Sequence, residues 1–117
     1  MSCRVVQWTT GHVGREAAKG VMRHPDLELV GCYAWSAEKE GLDAGTLCGM
    51  DEIGVAATRD IDQILALKPD CVSYTPNVLN VDDVEKLLAA GVNVASSYFV
   101  NGRTLGDEDY GRIQAAA

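Results

Sequence analysis

Apolar runs with the composition of β-strands alternate with segments of helical periodicity along this chain, and that alternation restricts the possible folds most. Strands are predicted at residues 4–8, 27–35, 55–58, 70–74 and 92–95. Helical stripes separate them, as at Val13, Ala17 and Val21, with charged residues on the opposite side. Every connection is long enough for a crossover, so the pattern predicts a doubly wound parallel α/β sheet of the Rossmann type.

Several helix boundaries carry their own signals. Pro25 ends the first helix, Asp60 is placed to cap the helix of Ile61 and Ile64, and Gly91 fits the C′ position of the helix before it. Asp107 is expected to open the last helix. That helix stops without a capping residue, so we expect one domain over residues 1–117 that is incomplete at its C-terminus.

Charge and hydropathy exclude several classes of partner. The chain of 117 residues carries 17 acidic and 10 basic side chains, a net charge of −7, and no basic patch. Such a chain repels a nucleic-acid backbone. No apolar run approaches the roughly 20 residues of a membrane span, and the N-terminus does not resemble a signal peptide. We therefore expect a cytoplasmic protein that binds neither nucleic acid nor membranes.

The cysteines predict no metal site. They stand at positions 3, 32, 48 and 71, never in the C-x-x-C spacing, and neither histidine is placed to complete a ligand set. Cys32 and Cys71 fall inside strand-like runs, where a free cysteine behaves as a small buried hydrophobe. Reduced thiols agree with a cytoplasmic location.

The turn after the first predicted strand is the segment that points to chemistry. Laid on the pattern G-x-G-x-x-G, it places Thr9 at the first glycine, Gly11 at the second and Gly14 at the third. The second glycine lets a pyrophosphate approach the backbone, and the third lets the helix pack closely on the strand. The residues predicted to bind a dinucleotide here are Thr10, Gly11, His12, Val13, Gly14 and Arg15. The alternative is an ordinary strand-to-helix turn, in which the glycines serve backbone shape alone.

The tip of the second predicted strand bears on which dinucleotide binds. An acid there would accept hydrogen bonds from the ribose 2′-hydroxyl of NAD. The sequence instead has Trp35 and Ser36, followed by Lys39. Ser36 and Lys39 suit the 2′-phosphate of NADP, so NADP is preferred over NAD. Glu38 and Glu40 lie close by and favour the opposite interpretation.

Two segments resemble a known family. The turn Gly11-His12-Val13-Gly14-Arg15 and the segment Asp43-Ala44-Gly45-Thr46-Leu47 are similar to the N-terminal domain of dihydrodipicolinate reductase-like proteins. The opening Val6-Gln7-Trp8 resembles the branch that contains 2,4-diaminopentanoate dehydrogenase and the native amine dehydrogenases. The resemblance implies an NAD(P)-binding half over residues 1–117. It also implies a C-terminal domain, absent from this chain, that would bind substrate and form a homo-oligomer.

The resemblance also implies roles for individual residues. Thr75, Pro76 and Asn77 match the loop that passes the nicotinamide ribose. Glu108 is the nearest match to a glutamate that assists amine chemistry, as a catalytic acid or base. The alternative for Glu108 is a first-turn acid that stabilises a helix N-terminus.

The function predicted from these observations is an NAD(P)-dependent oxidoreductase. It would transfer hydride to or from a C=N or C=O carbon of a small amine, imine or carbonyl substrate. Two alternatives remain open: a module that senses NAD(P) without turnover, and a domain that binds coenzyme A or another nucleotide.

Overall fold

The computed structural model describes residues 2–96 and 107–117. Five parallel strands form one sheet in the order β3-β2-β1-β4-β5. The strands are β1 (Cys3–Trp8), β2 (Leu27–Tyr33), β3 (Ala57–Thr58), β4 (Cys71–Tyr74) and β5 (Asn93–Ser96). The helices are α1 (His12–Arg23), α2 (Ala44–Leu47), α3 (Ile61–Ala66), α4 (Val81–Ala89) and α5 (Asp107–Ala116). The predicted doubly wound α/β sheet is confirmed.

Both faces of the sheet are covered, each by its own apolar cluster. On one face Val5 of β1 and Leu29 of β2 pack with Val21 of α1 and Ala44 of α2. On the other face the central strands pack against α3, α4 and α5. The fully buried members of that second cluster include Val6, Trp8, Ile64, Val72, Tyr74 and Leu87. Strands buried on both faces explain the near-continuous apolar runs in the sequence.

Local signals place the helix ends as predicted. The carboxylate of Asp60 accepts a hydrogen bond of 2.9 Å from the backbone N–H of Asp62 and so caps α3. Gly91 follows the C-cap of α4 with φ +84°, a left-handed conformation that suits glycine. α1 ends at Arg23, before Pro25. No helix within the described residues is long and apolar enough to cross a membrane.

The third strand is shorter than predicted, because the backbone N–H groups of the residues before it donate to the Asp43 carboxylate. Both carboxylate oxygens of Asp43 accept backbone hydrogen bonds of 2.8–3.0 Å from Ile53, Gly54 and Val55. Ala56 forms an antiparallel bridge with Asp43. Only Ala57–Thr58 is left to pair with β2, so the predicted strand 55–58 is wrong in its first half.

Three smaller predictions are corrected. β2 ends at Tyr33 rather than at Trp35, because the chain turns away and leaves Trp35 exposed. α1 begins at His12, one residue earlier than predicted. Cys71 is half-buried, whereas Cys32 is fully buried as expected.

Candidate functional site

Three strands end side by side at the carboxyl edge of the sheet, and their last residues are aromatic. Trp8 of β1 is in register with Tyr33 of β2 and with Tyr74 of β4. The Trp8 ring stacks on Tyr33 with 3.9 Å between centroids, and its centroid lies 5.9 Å from that of Tyr74. Since β1 lies between β2 and β4, the order of the strands reverses here, which is where open α/β sheets bind ligands.

Thr9, directly after β1, has the backbone conformation of a glycine. Its φ is +73°, and its backbone N–H donates a 2.8 Å hydrogen bond to the carbonyl oxygen of Tyr33. A β-branched residue in this left-handed region is strained by about 1–3 kcal/mol. The turn therefore keeps the shape of the dinucleotide fingerprint although its first glycine is missing.

A buried amide braces this strained turn. The Gln7 side chain is fully buried, and its Nε2 donates 3.0 Å hydrogen bonds to the carbonyl oxygen of Thr9 and to Thr75 Oγ1. Its Oε1 has no hydrogen-bond partner within residues 2–96 and 107–117. Gln7 was predicted as part of the opening that resembles the family but was given no role at the site, although a polar residue inside a buried strand is a usable signal. Gln7 connects the turn after β1 to the turn after β4.

Gly14 makes the close packing predicted for the third glycine. A Cβ at this position would clash with the carbonyl oxygen of Thr9 and lie 3.0 Å from both Gln7 Nε2 and Thr75 Oγ1. Any side chain here would push α1 away from the ends of β1 and β4. The buried Gly14 therefore allows α1 to pack closely against the turn at Thr9.

Gly11 differs, since no neighbouring atom requires a glycine there. It is the N-cap of α1 with φ −70°, and a Cβ added to it would meet nothing within 4 Å. The first turn of α1 has no acidic residue, and Gly11 provides no side-chain cap. The space beside Gly11 at the start of α1 is thus open, an arrangement that suits an anionic group approaching the backbone.

A groove of about 550 Å³ lies over these strand ends. The glycine turn and the start of α1 form one wall, the tip of β2 a second, and the segment from β4 to α4 a third. The lining residues are Trp8, Thr9, Gly11, His12, Val13, Tyr33, Trp35, Lys39, Tyr74, Thr75, Pro76, Asn77, Val78, Asn80 and Asp83. Seven of the predicted site residues are thereby brought together: Gly11, His12, Val13, Lys39, Thr75, Pro76 and Asn77.

Residues 5–97 match the family model of dihydrodipicolinate reductase, N-terminus. The chain belongs to this family. Among its curated relatives, the amine dehydrogenase of Streptomyces virginiae is 44% identical over 70 residues, which cover 59% of this chain and 19% of that protein. The 4-hydroxy-tetrahydrodipicolinate reductase of Synechococcus elongatus is 35% identical over 94 residues, covering 75% of this chain and 34% of that protein. The predicted resemblance is confirmed.

The fold agrees with that assignment. The amine dehydrogenase from Mycobacterium smegmatis superposes with a TM-score of 0.90 at 23% identity, covering 100% of this chain and 36% of that one. At this identity the likeness establishes the fold. The chain thus has the nucleotide-binding fold of the family and spans about a fifth to a third of the length of the curated relatives described above.

In this dihydrodipicolinate reductase-type domain, two cations lie beside the tip of β2. Lys39 Nζ is 3.1 Å from Thr10 Oγ1 and so connects the β2 tip to the glycine turn. Arg59 follows β3, and its Nε donates a 3.1 Å hydrogen bond to the carbonyl oxygen of Trp35. The backbone N–H of Arg59 donates to the Glu40 carboxylate at 3.2 Å. Arg59 was not predicted from the sequence, because its position depends on the pairing of β3 with β2.

Four predicted binding residues lie outside the groove of the domain. Thr10 is buried and its hydroxyl accepts from Lys39, and Gly14 is buried beneath the turn. Ser36 Oγ accepts a 3.2 Å hydrogen bond from the backbone N–H of Glu38. The exposed Arg15 extends toward Gly49, where its guanidinium lies 3.7 Å from the position of a Cβ. These residues therefore shape or flank the groove and do not line it.

Glu108 lies on the first turn of α5, is exposed, and is not among the described residues that line the groove. α5 is held against α4 by Arg112, whose Nε lies 2.8 Å from Glu85 and whose Nη2 lies 2.5 Å from Asp82. Both interpretations of Glu108, as catalytic group and as first-turn acid, stay predictions.

The buried thiols of the domain are unsuited to nucleophilic chemistry. Burial raises the pKa of the Cys32 thiol to about 12, and the neighbouring Cys48 adds to that shift. Burial likewise raises the pKa of Cys48. Both remain protonated at neutral pH, and a thiol is a poor nucleophile in that form. In the part of the chain that the structure describes, no group of three or more His, Cys, Asp or Glu is arranged to hold a metal ion.

Proposed function

We propose that this chain is the cofactor-binding domain of an NAD(P)-dependent oxidoreductase. The enzyme would transfer hydride between the nicotinamide and a C=N or C=O carbon of a small amine, imine or carbonyl substrate. The observation that carries the proposal is the groove at the reversal of the strand order, with open space above Gly11. Membership of a family whose relatives are dehydrogenases and reductases supports it.

The residues of the groove fit a dinucleotide from one end to the other. The N–H groups of His12 and Val13, at the positive end of α1, would bind the pyrophosphate. Trp35 would flank the adenine, and the loop of Thr75, Pro76 and Asn77 would hold the nicotinamide ribose. The cofactor supplies the hydride when bound. The chain supplies its position, since Gln7 holds Thr75 Oγ1 at a fixed distance from the glycine turn.

The preferred cofactor in this proposal is NADP. Lys39 and Arg59 place two positive charges beside the tip of β2, where the 2′-phosphate of NADP would lie. No carboxylate ends β2 itself, and the Glu40 carboxylate accepts a hydrogen bond from the backbone of Arg59. Ser36 and Arg15 would contact phosphate only after their side chains reorient. NAD remains the alternative cofactor, and a comparison of NADPH with NADH binding distinguishes the two.

We further propose that substrate binding and oligomer formation use a domain outside these 117 residues, because this chain covers only 19% and 34% of the two curated relatives. Glu108 would hold or move a proton at the substrate nitrogen in such a protein. The protein would act in the cytoplasm. Replacing Glu108 by Gln in the longer protein tests this role, and unchanged turnover would remove Glu108 from the mechanism.

Two matched glycine substitutions test cofactor binding by the chain. Gly11→Ala adds a methyl group that meets no protein atom but enters the groove, whereas Gly20→Ala adds one on the exposed side of α1. We expect Gly11→Ala to weaken NADPH binding by about tenfold, a loss of about 1.4 kcal/mol. Gly20→Ala should leave it unchanged. Quenching of the exposed Trp35 indole and titration calorimetry measure both affinities.

Two results would contradict the proposal. One is that neither NADPH nor NADH binds to the folded chain, while coenzyme A raises its melting temperature. The other is that Gly11→Ala and Gly20→Ala bind NADPH equally well.

A further inference from the structure

The groove contains an acid that the function proposed above does not use. Asp83, on the first turn of α4, is half-buried and lines the groove. Within residues 2–96 and 107–117 its carboxylate makes no hydrogen bond and no ion pair. Desolvation and the adjacent Asp82 raise its pKa. A half-buried carboxylate without a partner is costly, so a donor is expected to approach it from the groove.

Helix capping does not account for Asp83. Asn80 caps α4 by accepting a 3.1 Å hydrogen bond from the backbone N–H of Asp83. An acid three residues after the cap usually returns the bond by accepting from the backbone N–H of the capping residue. Here that N–H of Asn80 donates to Tyr74 Oη at 2.9 Å. The Asp83 carboxylate is therefore left to face the groove.

Tyr33 brings a hydrogen-bond donor to the same place. Its ring is fixed by stacking on Trp8, and its side chain lines the groove. Burial and the nearby Asp83 carboxylate raise the pKa of the Tyr33 phenol, so it keeps its proton at neutral pH. Tyr33 and Asp83 thus offer one donor and one acceptor in the same groove.

We propose that Asp83 and Tyr33 together recognise the amino-bearing edge of the adenine in the bound dinucleotide. Asp83 accepts a hydrogen bond from the exocyclic N6 amine, and the Tyr33 hydroxyl donates to N7. Adenine presents this donor beside this acceptor, whereas a 6-oxo purine presents two acceptors. The inference rests on the proposed function, because it assigns the base end of the same cofactor.

The surroundings of the pair favour a neutral base. Trp35 is 70% exposed and Val78 is 79% exposed, and both line the groove. These apolar surfaces suit the faces of a purine. The carboxylate of Asp83 would repel a phosphate, whereas Lys39 and the N-terminus of α1 attract one. The charges of the groove therefore separate the base from the phosphates.

The test compares NADPH with its hypoxanthine analogue, which replaces the N6 amine by a carbonyl oxygen, carries a hydrogen on N1 and keeps N7 and the rest of the molecule. We expect the wild-type chain to bind NADPH at least about tenfold more tightly, because the carbonyl of the analogue leaves Asp83 without a donor. Asp83→Ala should reduce the ratio to within about twofold. Tyr33→Phe should weaken both ligands by a similar factor of about three to five, since both contain N7.

A matched control separates recognition from general charge. Asp82→Asn removes the neighbouring negative charge, outside the groove, and keeps an acceptor for Arg112. This variant should keep the wild-type ratio. Equal binding of both ligands by the wild type, or an unchanged ratio in Asp83→Ala, overturns the inference and leaves the proposed function standing. Failure of NADPH, its analogue and NADH to bind the folded wild-type chain overturns the proposed function itself.

Discussion

Gln7 Nε2 donates a 3.0 Å hydrogen bond to Thr75 Oγ1, so one buried amide joins the two turns that bound the groove. The same nitrogen lies 3.0 Å from the carbonyl oxygen of Thr9, which has a positive φ. The amide therefore supports a strained residue and a proposed cofactor contact together.

Replacing Gln7 by Leu should lower the free energy of unfolding by about 2 kcal/mol, because buried acceptors on Thr9 and Thr75 lose their donor. Chemical denaturation measures the loss. Gln63→Leu is the matched control, since Gln63 is exposed and its side chain accepts a hydrogen bond from Thr58 at the surface. It should change stability by less than about 0.5 kcal/mol. Equal losses in the two variants would contradict the bracing role of Gln7.

Glycine should be tolerated better at position 9 than at position 10. Thr9→Gly relieves the strain of a positive φ, whereas Thr10 has no positive φ and its hydroxyl accepts from Lys39. We expect Thr10→Gly to be the more destabilising by about 1–2 kcal/mol, measured by urea unfolding. The reverse order would show that the Thr9 side chain contributes more than its backbone strain costs.

Asp43 should make stability depend on pH in the acid range. Partial desolvation raises the pKa of this carboxyl, but backbone hydrogen bonds, that of Ile53 foremost, outweigh it and hold the pKa below its usual value. The ionised Asp43 carboxylate therefore stabilises the folded chain fully above the ordinary aspartate pKa. This stabilisation is lost as the pH falls through the lowered pKa of the folded state. Asp43→Asn should have a lower melting temperature at neutral pH and a smaller further decrease on acidification.

The control for that measurement is Asp51→Asn, an exposed acid in the same loop. It should melt as the wild type does at neutral pH. If Asp43→Asn and the wild type lose stability in parallel between neutral pH and pH about 3, the hydrogen bonds to Asp43 are not the cause.

Lys39→Gln and Arg59→Gln should each weaken NADPH binding by about tenfold and change NADH binding by less than about twofold, because only NADPH has the 2′-phosphate. Arg23→Gln, at the exposed end of α1, controls for net charge. Competition titrations against both cofactors measure the ratio. Clearly tighter binding of NADH by the wild type would reverse the cofactor preference.

The sequence was sufficient to predict all five strands, because apolar runs and helical stripes can each be recognised from neighbouring residues alone. It also predicted Gly11, Lys39 and Thr75 as binding residues, and all three line one groove because the carboxyl ends of neighbouring parallel strands meet at the same edge of the sheet. It could not show how far β3 extends, because Asp43 takes the backbone donors of residues 53–55 from a distance along the chain.

The remaining site residues depend on register. Gln7 and Arg59 act on groups that only strand pairing brings near, and Asp83 faces the groove because Tyr74 Oη takes the backbone donor of Asn80. Ser36 and Arg15 were predicted from their types and positions, but their side-chain directions follow from local contacts. Such contacts have no signature in a single sequence.

The braced turn at Thr9 has a consequence for recognising related chains. A search that demands glycine at the first position of the fingerprint passes over any domain in which a glutamine two residues earlier supports a different residue there. A pattern that accepts threonine when it is accompanied by that glutamine would retrieve such domains from genomes. The pairing of Gln7 with Thr9 is thus a pattern that such a search can test.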